Sequence, residues 1–332
     1  MTHKKNRVTK VVALIAAAVT SFVGVSTSEA ATQSSDTTTV KLALNAGQGF
    51  HAHYVEVKVN PAARALLPKS VLDSGQLQIG VGALPSGFPP LVFTGTDQQT
   101  IVGSEPDLGR LIAAELGLKP VITNYTFANM FVGVDSGRVD VALSNIGITE
   151  PRKLKYDFAS YRTVTYAFES LKKYPWKFTG YESLAGHTFS VAKGTNQELF
   201  LLGWQKKLAA ENKTFKIQYF PDAASNYLAL DSGRIDAIFS VNPSTVFDVK
   251  ATKGTPNATK VAGTFGGTGP NPFGFIGATT KKDNGEVAAY AAALNDLISN
   301  GTYAKWLSTY GLSSEAIATS QVNPYGIPVP TV

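Results

Sequence analysis

Arg152 is a side chain able to do anion chemistry. It follows Thr149-Glu150-Pro151 and stands beside Lys153 and Lys155. A planar guanidinium makes two parallel, charge-assisted hydrogen bonds to a carboxylate. On composition alone, a solvated surface arginine in a basic turn is the favoured reading. Residues 194–200, GTNQELF, read as a turn, an Asn cap and a helix. Helix starts attract anions through free backbone N–H groups, although Thr195 or Asn196 can serve as an ordinary cap. His51 and His53 share a strand face but lack a visible third ligand, so neither a metal nor another cofactor is expected. Ser170 and Lys173 match Ser-x-x-Lys, a serine-nucleophile signature, without its companion motifs. Residues 263–277 hold six glycines. They lack the Gly-Lys-Ser/Thr ending of a phosphate loop, and Pro270 and Pro272 break the helix that should follow. Glycine as a flexible connector is the expected use.

These residues sit in a chain of 332 amino acids with no cysteine, 44% hydrophobic and 16% charged. That composition is globular, and the length suggests about two domains. The absence of cysteine excludes disulfides, thiolate zinc sites, cysteine nucleophiles and a lipid-anchored cysteine. Residues 1–30 read as a secretory signal peptide. Lys4, Lys5, Arg7 and Lys10 precede an apolar run over 11–25, and Ser28-Glu29-Ala30 supplies a cleavage site. Without this leader, 26 cationic against 23 acidic residues leave +3, which is no nucleic-acid footprint. No later run is long and apolar enough to span a bilayer. A soluble, exported protein is expected.

The elements that must position the chemistry follow from patterning. The polar run opening 31–45 reads as a flexible mature N-terminus, and 51–59 alternate as a strand. Pro61 opens a short helix through Leu67; residues 31–70 form an extension with no functional reading. LQIGVGA (77–83) is a buried strand. Leu108, Leu111, Ile112 and Leu116 share a face of a helix over 106–116 that stops at Gly117. Residues 120–127 form the next strand. The alternation predicts βαβ units and a mostly parallel sheet covered by helices. An internal echo adds to this. DSGRVDV (135–141) recurs 96 residues later as DSGRIDA (231–237), each after a helix-like stretch and before an apolar strand. Two halves of one α/β design are therefore expected.

Around the echo the chain resembles the extracytoplasmic solute-binding proteins of polar amino-acid ABC transporters, the bacterial family 3 type. The residues that carry this are LQIGVGALPSGFPPLVF (77–93), IVGSEPDLGRLIAAELGLK (101–119), GRVDVALSNIGITEPRKLKYDFAS (137–160) and NGTYAKWLSTYG (300–311). The resemblance implies a type II periplasmic-binding-protein fold of two α/β lobes. Lobe 1 would comprise 71–168 plus 276–320, and lobe 2 would comprise 169–265. A two-crossing hinge would join them, its second crossing at 266–275, and 321–332 would be a C-terminal tail.

By the same resemblance Arg152 grips a ligand carboxylate, Phe88 and Phe127 sandwich the ligand, and Gly194, Thr195 and Asn196 offer a helix start to the carboxylate. The chain also departs from the family. Asn145 and Gly147 stand where the family has Gly and a ligand-touching Thr. Val241, flanked by Ser240 and Asn242, stands where it has an Asp that pairs with the ligand's ammonium. The missing acid predicts weak binding of ordinary zwitterionic amino acids and a preference for a carboxylate whose other end is uncharged or differently placed. Another acid, such as Asp222 or Asp248, can alternatively replace it. The implied partners are a small carboxylate ligand and a membrane ABC permease, with the binding protein a free, monomeric periplasmic component rather than a lipoprotein. The alternative is an enzyme on this scaffold, similar to the family's cyclohexadienyl dehydratase, which needs a general acid in the cleft.

Overall fold

The computed structural model describes residues 36–82, 87–266 and 272–330. The expected leader at 1–30 and positions 267–271 of the glycine-rich stretch lie outside them. The chain begins with β1 (Thr37–Leu42), β2 (His53–Lys58), α1 (Pro61–Arg64), α2 (Lys69–Ser74), β3 (Gln76–Gly82), β4 (Phe93–Thr94), β5 (Ile101–Val102) and α3 (Ser104–Glu115). It continues with β6 (Lys119–Tyr125), α4 (Phe127–Asp135), β7 (Val141–Ala142), α5 (Glu150–Lys153), β8 (Tyr156–Thr163), β9 (Thr165–Leu171), β10 (Thr188–Ser190) and α6 (Asn196–Ala210). Then come β11 (Lys216–Gln218), α7 (Ala223–Asp231), β12 (Ala237–Val241), α8 (Asn242–Ala251), β13 (Thr259–Gly266), β14 (Phe275–Lys281), α9 (Val287–Ser299) and α10 (Thr302–Thr309).

Two five-stranded sheets form, ordered β6-β3-β7-β14-β8 and β11-β10-β12-β9-β13. Each sheet is mostly parallel, as expected, with one reversed strand. In each sheet the first three strands are parallel, and the fourth runs antiparallel to both its neighbours. The reversal follows from connectivity. The chain leaves the first sheet on β8, enters the second on β9 through Val164 alone, and returns from β13 to β14.

The sequence echo has a structural cause. Gly137 and Gly233 take φ of 70° and 72° at the ends of α4 and α7, the left-handed turn that favours glycine. The following Val139 and Ile235 are buried. Each motif's last Asp then ties its strand to the neighbouring one. Asp140 accepts from the Gln78 N–H at 2.8 Å and Asp236 from the Thr188 N–H at 2.7 Å. The two motifs thus perform one task at matching places in the two sheets.

Residues 31–45 are not a wholly flexible start. Residues 37–42 form β1, because Val40 and Leu42 point inward beside Val55 and Val57 of β2, and this hairpin packs on α3. Buried Asp107 of α3 secures it, accepting from the Ala43 N–H at 2.7 Å and from the Tyr310 hydroxyl. Phe50, in the β1–β2 connection, stacks on Phe247 of α8 with centroids 5.7 Å apart.

Candidate functional site

A cavity of about 290 Å³ lies between the two sheets. It opens where β3, β7, β10 and β12 end and the next segments begin, the usual place for ligands on α/β sheets. From the first sheet's side it is lined by Phe88, Phe127, Ser144, Asn145, Gly147 and Arg152; from the second's by Tyr166, Thr195, Asn196, Asp222, Asn226 and Ser240, among others. Eight of the ten ligand-binding residues expected from sequence therefore meet here: Phe88, Phe127, Asn145, Gly147, Arg152, Thr195, Asn196 and Ser240. Gly194 does not line the cavity. Asn242, in the first turn of α8, faces a separate hollow beside Phe50 and Phe247.

Arg152 sits on the short helix α5, which Thr149 caps by accepting from the Arg152 N–H at 3.3 Å. Its Nη1 donates to the Gly147 carbonyl at 2.8 Å. Its guanidinium lies over the faces of Phe127 and Phe131, 5.7 and 5.5 Å from the ring centres, a cation–π setting. Among the described residues no carboxylate forms an ion pair with it. Burial consequently pulls its pKa down, although an arginine remains charged in any case. The site thus holds a partly desolvated cation whose charge the protein leaves uncompensated.

The loop before α5 carries Asn145 and Gly147. Asn145 has φ of 51°, a conformation that Asn tolerates better than most side chains. Its Oδ1 accepts from Arg162 Nη2 at 2.7 Å, and its N–H donates to Glu105 Oε2 at 3.1 Å. Arg162 is fully buried between Glu105, at 2.9 Å, and Glu315. The two acids push its pKa up against the cost of burial. Sequence reading missed this triad, whose members lie far apart in the chain. At Gly147 an added Cβ meets Asn196 Nδ2 at 2.5 Å and Ile327 Cδ1 at 2.6 Å. A larger residue at this position requires the ends of the Asn196 and Ile327 side chains to move.

Thr195, rather than Asn196, caps α6. Its Oγ1 accepts from the Glu198 N–H at 3.3 Å and donates to the Ala192 carbonyl at 2.7 Å. The Gly194 N–H donates to Glu198 Oε2 at 2.6 Å. Asn196 and Gln197 begin the helix at the cavity wall, where their N–H groups have no acceptor four residues back.

The two acids considered as replacements for the one missing at Val241 have different settings. Asp222, the N-cap of α7, lines the cavity. Asp248 is instead paired through Tyr227 with buried Glu169: the Tyr227 hydroxyl lies 3.0 Å from Glu169 Oε2 and also contacts Asp248. Burial, reinforced by Asp248, pushes the Glu169 carboxyl up to about 8. Folded protein therefore retains a proton that the unfolded chain releases near pH 4.5, and this group's contribution to stability falls as pH rises from there to about 8. Glu169→Gln keeps an acceptor for Tyr227 and removes the titration. It is expected to flatten the pH dependence and to stabilise the fold at pH 8 by on the order of a few kcal/mol. Urea denaturation of both proteins at pH 5 and pH 8 checks this; parallel pH profiles count against it.

A profile of the bacterial extracellular solute-binding proteins, family 3, matches residues 79–313. The L-cystine-binding protein TcyJ of Escherichia coli (strain K12) is 30% identical over 195 residues, 58% of this chain and 69% of that protein. The arginine-binding protein ArgT of Corynebacterium glutamicum is 28% identical over 269 residues, 79% of this chain and 84% of that protein. Among solved structures, an ancestral arginine-binding protein bound to arginine aligns with a TM-score of 0.61 at 27% identity, covering 71% of this chain and 98% of that one.

Proposed function

We propose that this chain, which belongs to the bacterial extracellular solute-binding proteins of family 3, captures a small carboxylate-bearing solute of the amino-acid class and delivers it to a membrane ABC permease. The observation that carries this reading is Arg152. An arginine held at a cavity wall by one carbonyl and two aromatic faces, with no acid of its own, is arranged for an anionic ligand. A carboxylate is the anion whose two oxygens match a guanidinium fork. Phe88 and Phe127 would cover the ligand's apolar part, and the first turn of α6 would add N–H donors. The relatives are named for binding cystine or arginine, which supports the amino-acid class.

The two connections between the sheets, at Val164 and between β13 and β14, would act as the hinge of a clamp that prefers the closed state when occupied. Export to the periplasm rests on the leader-like residues 1–30. Among the described residues no helix is long and apolar enough to cross a membrane.

The dehydratase alternative lacks its acid. Asp222 is the sole carboxylate among the described lining residues, and hydrogen bonds from Ser225 hold it below the usual carboxylate range, so it is deprotonated at neutral pH. The relatives, too, are named as binding proteins.

Thermal shifts with the twenty amino acids and with keto-, hydroxy- and aromatic acids test the reading. A ligand at a hundred times its Kd stabilises by about 2.7 kcal/mol. Its methyl ester, which lacks the anionic oxygens, is expected to give little shift. Equal shifts for an acid and its ester, or shifts from uncharged sugars alone, overturn the carboxylate assignment.

A further inference from the structure

The cavity is chemically polarised. Among its described lining residues Arg152 is the one permanent cation and Asp222 the one carboxylate; Arg152 comes from the first sheet's side and Asp222 from the start of α7 on the second's. Neither makes an ion pair with another described residue.

Asp222 Oδ1 accepts from the Ser225 N–H at 2.8 Å, and its Oδ2 accepts from the Ser225 hydroxyl at 2.9 Å. Ala224 adds a backbone hydrogen bond; because each carboxylate oxygen can accept more than one, the cap leaves part of the group's capacity open. One helical turn later, on the same face, Asn226 also lines the cavity. Its Oδ1 is shielded from solvent and has no partner among the described residues. A shielded amide oxygen without a donor costs free energy, which a ligand N–H at this wall would recover. Ser240 lies on the same side of the cavity.

We propose that Asp222, with Asn226 Oδ1, forms a cation subsite that receives a positively charged nitrogen of the solute, taking the place of the acid absent at Val241. The ligand then spans the cavity with its carboxylate at Arg152 and its ammonium or guanidinium at α7. This rests on the carboxylate reading above and adds the second end of the molecule. It also gives physical content to the expectation that the solute's other end is differently placed: the anion has moved from the start of α8 to the start of α7.

Asp222→Asn tests this cleanly. Asn caps helices as well as Asp does, so α7 keeps its cap while the negative charge is lost and one acceptor oxygen becomes an amide NH2. Calorimetry on wild type and D222N would use L-arginine, L-cystine, L-citrulline and 5-guanidinopentanoic acid. Citrulline keeps the α-ammonium but has a neutral side chain; 5-guanidinopentanoic acid keeps the guanidinium and lacks the α-ammonium. The expected result is a loss of about 10- to 100-fold in D222N, as for a hydrogen bond to a charged group, for every ligand that carries the nitrogen bound at Asp222. A loss shared by arginine, cystine and citrulline identifies that nitrogen as the α-ammonium. A loss shared by arginine and 5-guanidinopentanoic acid identifies it as the guanidinium. Unchanged affinity of D222N for all ligands that bind wild type overturns the subsite. So does a wild type that binds only carboxylates without a cationic nitrogen; both results leave the role of Arg152 standing. A wild type that binds no carboxylate at all overturns the subsite and the carboxylate reading together.

Discussion

Arg152→Ala is expected to weaken solute binding by about 2–5 kcal/mol while leaving the ligand-free protein folded. The two effects separate because of how the residue is held. In the ligand-free protein Arg152 has a carbonyl, two ring faces and no acid, so its partial burial is a cost that truncation relieves. With a carboxylate bound, truncation leaves that carboxylate desolvated and unpaired. Arg152→Lys should recover little, because an ammonium cannot satisfy the Gly147 carbonyl, stack on the rings and present a bidentate face together. Calorimetry gives the affinity, and thermal melts of the free protein give its stability. Near-wild-type affinity in the alanine variant would exclude Arg152 as the anchor. Lost affinity with an equally lowered melting point would make it a structural residue.

The larger effect on stability is expected at Arg162. Arg162→Ala leaves Glu105 and Glu315 buried without their cation, and breaking a buried pair from one side costs about 3–5 kcal/mol. Asn145 also loses the donor that fixes its side chain, so whatever protein remains folded should bind solute more weakly. A triple variant, Arg162→Met with Glu105→Gln and Glu315→Gln, removes every charge of the cluster and should regain most of the lost stability. Chemical denaturation of the three proteins tests this. A single variant with wild-type stability, or a triple variant no better than the single, shows that the cluster does not work as a charge-balanced unit.

Much was determined by sequence alone, wherever the cause is local. The period of Leu108, Leu111, Ile112 and Leu116 marks α3, since one face of a helix must be apolar to be buried. The repeated Asp-Ser-Gly-Arg motif marks two equivalent helix–strand junctions, because a left-handed stop needs glycine and the strand start needs an acceptor. Both requirements are met within seven residues. The resemblance over 137–160 singled out Arg152, whose α5 is capped from three residues away.

What depends on residues distant in the chain was decided by the tertiary structure. Only the fold brings Arg162 between Glu105 and Glu315 beneath Asn145. Only the fold brings the side chains of Asn196 and Ile327 up to position 147. Of two acids equally eligible on paper, it places Asp222 at the cavity wall and sends Asp248 into a buried pairing with Glu169. Periodicity and caps report forces acting across a few residues of chain. Charge compensation and close packing act through space, and their partners become neighbours only when both sheets have formed.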